Sequence, residues 1–286
     1  MRWEGGEESD QVEDRRGFGG GRLAIGGCGT AIVVLVISLL TGANPLRVLQ
    51  LLNGSASSDS SAPSSARPPS QGQGPGEDQG KKFVSVILKS TEDTWSSIFA
   101  ANGRRYELPT LVLFTDATPT ACGEGSEAQG PFYCPLDRKV YLDLGFFDEL
   151  SRRFGAPGDF ARAYVIAHEV GHHVQQQLGV ADKVSALQQR VSREEANQLS
   201  VRLELQADCY AGVWGNRGAR TGLVEPGDAE AGLRAAAAIG DDRLQRMATG
   251  RVQPESFTHG SSEQRVGWLK RGLESGDPSR CDTFSQ

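Results

Sequence analysis

Histidine is scarce in this chain, with four in 286 residues, and three of the four fall within one run of six. No C-x-x-C pair occurs among the five cysteines, so a cysteine-only zinc knuckle is excluded as the organising motif. There is no surplus of basic residues either. Lys plus Arg number 30 against 36 Asp plus Glu, a formal net charge of −6. No basic patch is interleaved with aromatics, which argues against a nucleic-acid partner.

What the chain does have is His168-Glu169-Val170-Gly171-His172-His173. Asp159 to Ala167, just before it, carries Phe160, Ala163, Tyr164 and Ala167 at helical spacing, and Gly171 continues the stripe. On a helix, residues four apart share a face. His168 and His172 can therefore hold one metal ion through imidazole nitrogen. Zn²⁺ suits such ligands, keeps a position for water in catalytic sites and lowers that water's pKa towards ~7. Glu169 stands where a general base for that water is needed. His173 points about 100° away from His172 on an ideal helix, which suits a packing or supporting contact. Gly171 costs a helix roughly 1 kcal/mol against Ala; a close approach of another element beside the metal would justify it. Gly179 reads as the helix stop.

Two histidines leave a zinc site incomplete. A second helical pattern begins near Ser192 and ends at Arg202 to Gly212. Within it Glu204 lies among Leu203, Leu205, Ala207 and Ala211, a setting in which a carboxylate needs a partner. Asp208, one turn later on the same face, can accept a hydrogen bond from a ligand histidine.

These runs carry a resemblance. H-E-V-G-H-H-V-Q, E-L-Q-A-D-C-Y-A-G-V-W and T-H-G-S-S-E-Q-R, with V-E-D-R-R-G (12–17), resemble the bacterial neutral zinc metallopeptidases. The resemblance implies a zincin-like core, zinc ligands His168, His172 and Glu204, and Glu169 as catalytic base. The implied fold is α+β and mostly helical with a small sheet, and the implied activity is peptide-bond hydrolysis on Zn²⁺. Two other readings stay open: a tethered scaffold with a structural zinc, and a zinc hydrolase of a non-peptide cell-envelope amide.

Hydrolysis also needs a donor for the oxyanion. His259, in a loop before a helix capped by Ser261 or Ser262, is a candidate, as are Tyr210 and Tyr133.

Residues 23–41 are expected to span a membrane. The uncharged run Leu23 to Leu40 is eighteen residues, about 27 Å of helix. Arg15, Arg16 and Arg22 precede it while Arg47 alone follows closely, which places residues 1–22 in the cytoplasm of a bacterial cell and the rest outside the inner membrane. A cleaved signal peptide ending near Ala43 is the alternative, set against a long acidic stretch before the run. Residues 42–80 read as a Ser/Gly/Pro-rich linker, and 81–286 as one catalytic domain that meets a peptide or protein substrate. Within it, 83–99 and 146–154 read as helices, 111–114 as a strand, and 132–134 with 140–144 as a hairpin. Either hairpin strand is positioned to add an extended substrate. Helices are expected at 230–239 and 262–273. Cys122 and Cys134 flank a glycine-rich loop and form the natural local disulfide, leaving Cys209 to join Cys281.

Overall fold

The computed structural model describes residues 1–17, 75–126 and 130–285. Residues 1–17 and 74 onward form one compact unit. The expected membrane run 23–41 and most of the expected linker lie outside the described residues. Among those described, no helix is long and apolar enough to cross a membrane.

The architecture is α+β and mostly helical. A four-stranded sheet has the order β1 (Val12–Asp14), β2 (Thr110–Phe114), β6 (Lys139–Asp143), β5 (Phe132–Cys134). The first two pairings are parallel and β5 with β6 is antiparallel. A separate hairpin joins β3 (Ala117–Thr120) to β4 (Gly123–Ser126). The helices are α1 (Pro75–Ala101), α2 (Gly145–Arg152), α3 (Asp159–Gln177), α4 (Val180–Gln188), α5 (Arg193–Thr221), α6 (Asp228–Ala238), α7 (Asp241–Thr249) and α8 (Ser262–Ser275).

Most of these elements follow from local chemistry. Strand β2 is a buried run, Leu111 to Phe114. In α1 the residues Phe83, Val84, Ile87, Leu88, Trp95 and Phe99 are all buried, one face against the core. Helices α5 and α8 both open on capping boxes, Ser192 with Glu195 and Ser261 with Gln264, so two backbone donors at each start are satisfied reciprocally.

The structure differs from the sequence expectation at four main points. Helix α1 begins at Pro75, inside the expected linker, because proline at the first helical position has no N–H to waste. Helix α5 does not end at Gly212 but runs to Thr221. Its glycines serve packing: a Cβ on Gly212 would sit 2.2 Å from the Leu269 carbonyl oxygen, and one on Gly272 would sit 2.0 Å from that of Cys209. The α5–α8 crossing is thus built on backbone contact. Helices α4 and α7 and the β3–β4 hairpin were not anticipated.

The fourth difference concerns the N-terminal segment. Val12, Glu13 and Asp14 pair in register with Leu111, Val112 and Leu113. Trp3 is buried edge-on against Phe83, with ring centroids 5.3 Å apart, and its Nε1–H donates to Asp159 at 2.8 Å. Residues 12–14 and 110–114 share one sheet and therefore one side of any membrane. A cytoplasmic segment 1–22 ahead of an extracytoplasmic domain 81–286 is incompatible with that pairing. The expected division is corrected: residues 1–17 are an integral part of the folded unit.

Both expected disulfides are present, Cys122–Cys134 and Cys209–Cys281. The first ties the turn between β3 and β4 to β5. The second joins α5 to the chain's last turn.

Truncating Trp3 to alanine removes a buried aromatic and its hydrogen bond. The expected cost is about 3 kcal/mol, a fall in melting temperature of roughly 6–12 °C. Thermal unfolding followed by circular dichroism measures it; an unchanged midpoint would detach residues 1–17 from the unit.

Candidate metal centre

Helices α3 and α5 face each other at the centre of the unit. Their approach is set by Gly171, where a Cβ would lie 3.1 Å from the backbone of Ala207. Ala207 sits between Glu204 and Asp208, so the bare glycine brings both carboxylates up to the histidines. The close approach expected from Gly171 is what the structure contains.

His168, His172 and Glu204 converge, with one ligand atom from each lying within 4.8 Å of the others. Glu204 Oε2 is 3.1 Å from His168 Nε2, and Oε1 is 3.4 Å from His172 Nε2. Both imidazoles are oriented from behind. His168 Nδ1–H donates to Asp208 Oδ1 at 2.8 Å, and His172 Nδ1–H donates to Gln175 Oε1 at 2.9 Å. The two Nε2 atoms thereby turn towards Glu204. Gln175 is itself held, donating from Nε2 to the Leu203 carbonyl at 2.6 Å and to Gln206 at 3.1 Å. Two imidazoles and a carboxylate form a donor set suited to Zn²⁺, and three protein ligands is the number that catalytic zinc sites use.

Asp208 is fully buried. Beyond His168 it accepts from Arg265 at 2.8 Å and 2.9 Å and from the Tyr164 hydroxyl at 2.5 Å. Burial favours its neutral form, but Arg265 and His168 outweigh burial and hold its pKa down at about 2. His168 shows the converse. Burial alone would lower its pKa, yet Asp208 and Glu204 raise it to about 10. Without metal, a proton on His168 is the cation that the carboxylates attract. Glu169 is buried at the cleft floor, and desolvation raises its carboxyl.

Tyr164, His168, Glu169, His172, Glu204 and Arg265 line a cleft of about 630 Å³, with Asp208 buried behind it. His259 lies on its wall, its side chain half exposed (52 %). Its Nδ1–H donates to Asp241 Oδ1 at 3.2 Å, while Asp241 Oδ2 accepts the backbone N–H groups of Thr258, His259 and Gly260. The hydrogen bond to Asp241 raises the His259 pKa. The other two oxyanion candidates are differently placed. Tyr210 is buried edge-on against Trp95. Tyr133 lines the cleft, but its hydroxyl is 3.1 Å from His173 Nδ1. His173 is neutral by burial and donates from Nε2 to the Glu107 carbonyl at 2.7 Å, so Nδ1 takes the Tyr133 proton. His173 is thus a supporting residue, as its direction on the helix implied.

Sequence reasoning missed Asp241, Gln175 and the role of Arg265. Gln175 and Tyr164 had a signal, standing three residues after His172 and four before His168 on the metal face of α3. Arg265 had one too, as a cation among Val266, Trp268 and Leu269. Asp241 had none, since its partners lie 17 to 19 residues away in the chain.

Over residues 1–284 the chain matches the family described as putative neutral zinc metallopeptidase. The chain belongs to this family. It is similar to Escherichia coli YpfJ, an uncharacterized protein, with 49 % identity over 293 residues covering all of this chain and 99 % of that one. An uncharacterized Mycobacterium tuberculosis protein, Rv2575, is 42 % identical over 215 residues, covering 71 % of this chain and 72 % of its own. No solved structure matches the chain.

Replacing Asp208 with asparagine should weaken zinc binding by about 10- to 100-fold, the usual effect of losing a carboxylate behind a ligand histidine. Competition against a chromogenic chelator measures this, and wild-type affinity would show that Asp208 serves folding alone.

Proposed function

We propose that the protein is a zinc-dependent peptidase whose cleft binds an extended peptide and hydrolyses it. One observation carries the reading: two Nε2 atoms and the Glu204 carboxylate converge at an open cleft, with Glu169 beside them and three protein ligands in the cluster. A structural zinc would ordinarily have four. When bound, zinc would supply Lewis-acid activation of a water and of the scissile carbonyl.

The rest of the chemistry belongs to the chain. Glu169 takes a proton from the attacking water and returns it to the leaving amine, as a general base that then acts as an acid. His259, whose protonated form the hydrogen bond to Asp241 favours, donates to the oxyanion from the cleft wall. His168, His172 and Glu204 hold the metal, and Asp208 and Gln175 keep the imidazoles aimed.

The sheet supports a peptide substrate. Of the two strands expected to be able to add one, β6 is internal, paired with both β2 and β5, while β5 is an edge strand whose Phe132 and Tyr133 line the cleft. An extended peptide adding to β5 passes beside the metal cluster with its backbone held. The two disulfides support an oxidising setting outside the cytoplasm for the whole unit, residues 1–17 included.

The zinc-loaded protein should cleave members of a diverse peptide library, read by mass spectrometry. Glu169→Gln should keep its zinc and lose activity by at least two orders of magnitude. Turnover by Glu169→Gln would remove Glu169 from the mechanism. Zinc retention with no cleavage by wild type would favour a non-peptide amide or a structural metal.

Asp241→Asn tests the oxyanion donor. The raised pKa of His259 means that its cationic form is fully present at low pH and is lost as pH rises through that raised value. Without the Asp241 charge the loss comes earlier. The alkaline limb of the kcat/KM profile should therefore move to lower pH, towards about 6.5; an unmoved limb would rule His259 out.

A further inference from the structure

The polar groups of the cleft are gathered around the metal cluster, but one side of it is apolar. Val165 stands three residues before His168, hence on the same face of α3 and one turn towards its start. It faces the cleft together with Phe146 and Phe154, from α2 and its C-terminal end, and with Ile239 and Leu244, from the α6–α7 junction. Phe154 and Val165 are buried, and Phe146, Ile239 and Leu244 are partly exposed and pack against the core. The recess is therefore firmly backed. Gly130 closes over it: a Cβ there would reach within 3.3 Å of the Phe146 ring.

The charged side chains that α2 brings to this wall are Glu149 and Arg153. They face each other at 3.7 Å, both exposed, and the Arg153 guanidinium lies over the Phe154 ring at 5.4 Å. Their opposite charges cancel at the rim, and no net charge is offered to an incoming side chain.

We propose that this recess is a specificity pocket for a bulky apolar side chain, of leucine or phenylalanine type, next to the scissile bond. The proposal rests on the peptidase reading above and names its substrate class. An aliphatic or aromatic group entering beside Val165 replaces water on five apolar side chains, which is favourable in proportion to the area covered. A charged side chain would lose its hydration there without finding a partner. The recess begins one helical turn from a metal ligand, so a side chain filling it belongs to a residue flanking the cleaved bond, not to a distant part of the peptide.

The test uses the full zinc-loaded chain and its Leu244→Glu variant, which places a carboxylate at a partly exposed position of the wall. Otherwise identical peptides carry Ala, Leu, Phe, Glu or Lys on either side of one cleavable bond. Wild type should prefer Leu or Phe over Ala at one of the two positions by at least tenfold in kcat/KM and reject Glu. Leu244→Glu should reduce that preference below threefold and raise the rate for Lys. Cleavage without such a preference overturns the pocket and leaves the peptidase reading standing. If no peptide is cut, the peptidase reading fails and calorimetry of two zinc-chelating hydroxamates still decides the recess. 3-Phenylpropanohydroxamate should bind wild type at least tenfold more tightly than acetohydroxamate, with the gain lost in Leu244→Glu. Equal affinities would overturn the proposal. Matching far-ultraviolet circular dichroism of the two proteins keeps misfolding apart from loss of the recess.

Discussion

The buried charge of Asp208 is the constraint on which the rest of this structure depends. A carboxylate with no solvent exposure is very costly unless it is paired and hydrogen-bonded. Here the pairing comes from three sides: His168 and Tyr164 on α3, and Arg265 on α8. Removing Arg265, the permanent counter-charge, would leave a buried charge short of compensation, at a cost on the order of 3–5 kcal/mol. The network therefore fixes the relative position of three helices, and the position it fixes is the one that turns His168 Nε2 towards Glu204. Stability and metal geometry rest on one set of bonds.

Backbone contact makes that arrangement possible. The helices that carry these bonds approach one another more closely than ordinary side chains permit. Gly171 supplies the approach between α3 and α5, and Gly212 with Gly272 supplies it between α5 and α8. Each glycine is unfavourable for its own helix by about 1 kcal/mol; a Cβ on Gly212 or Gly272 would collide with backbone, and one on Gly171 would be tighter than an ordinary contact. The disulfide from Cys209, adjacent to Asp208, to Cys281 then ties the chain's last turn to the middle of α5. That tie is continued by Gln206, whose Nε2 donates to the Cys281 carbonyl while its Oε1 accepts from Gln175, the residue that aims His172. A covalent brace far along the chain thus reaches a ligand imidazole through three hydrogen bonds.

What was legible in the sequence follows the range of the forces involved. His168 and His172 are four apart on one helix, and Glu204 and Asp208 four apart on another, so local geometry was enough to propose them. The pairing of cysteines was legible because few partners existed. Strand β1 was not: Val-Glu-Asp has no apolar alternation and sits among charged residues, and it becomes a strand only because β2 offers an edge to pair with. The same blindness produced the expectation of an N-terminal segment separated from the domain by a membrane, since charge bias around an apolar run says nothing of a sheet partner about 100 residues away. Asp241 was hidden for a related reason. Its work is to gather the backbone of 258–260, and that turn comes near it only once α8 has packed.

The position of β1 bears on the cleft as well. Without it, β2 would be an edge strand, apolar from Leu111 to Phe114 and able to pair with another chain, the kind of edge that folded proteins cover. With it, β2 and β6 are both internal, and the four-stranded sheet keeps two flanks, β1 and β5. The β1 flank is short and charged, with Glu13 held by Arg15 and Lys139 and Asp14 by Arg16, which discourages further pairing there. The β5 flank lies beside the metal cluster and is braced by Cys122–Cys134. The N-terminal strand thus does more than complete a core. By closing one side of the sheet, it leaves the free edge at β5, beside the metal cluster, where the proposed peptide would add.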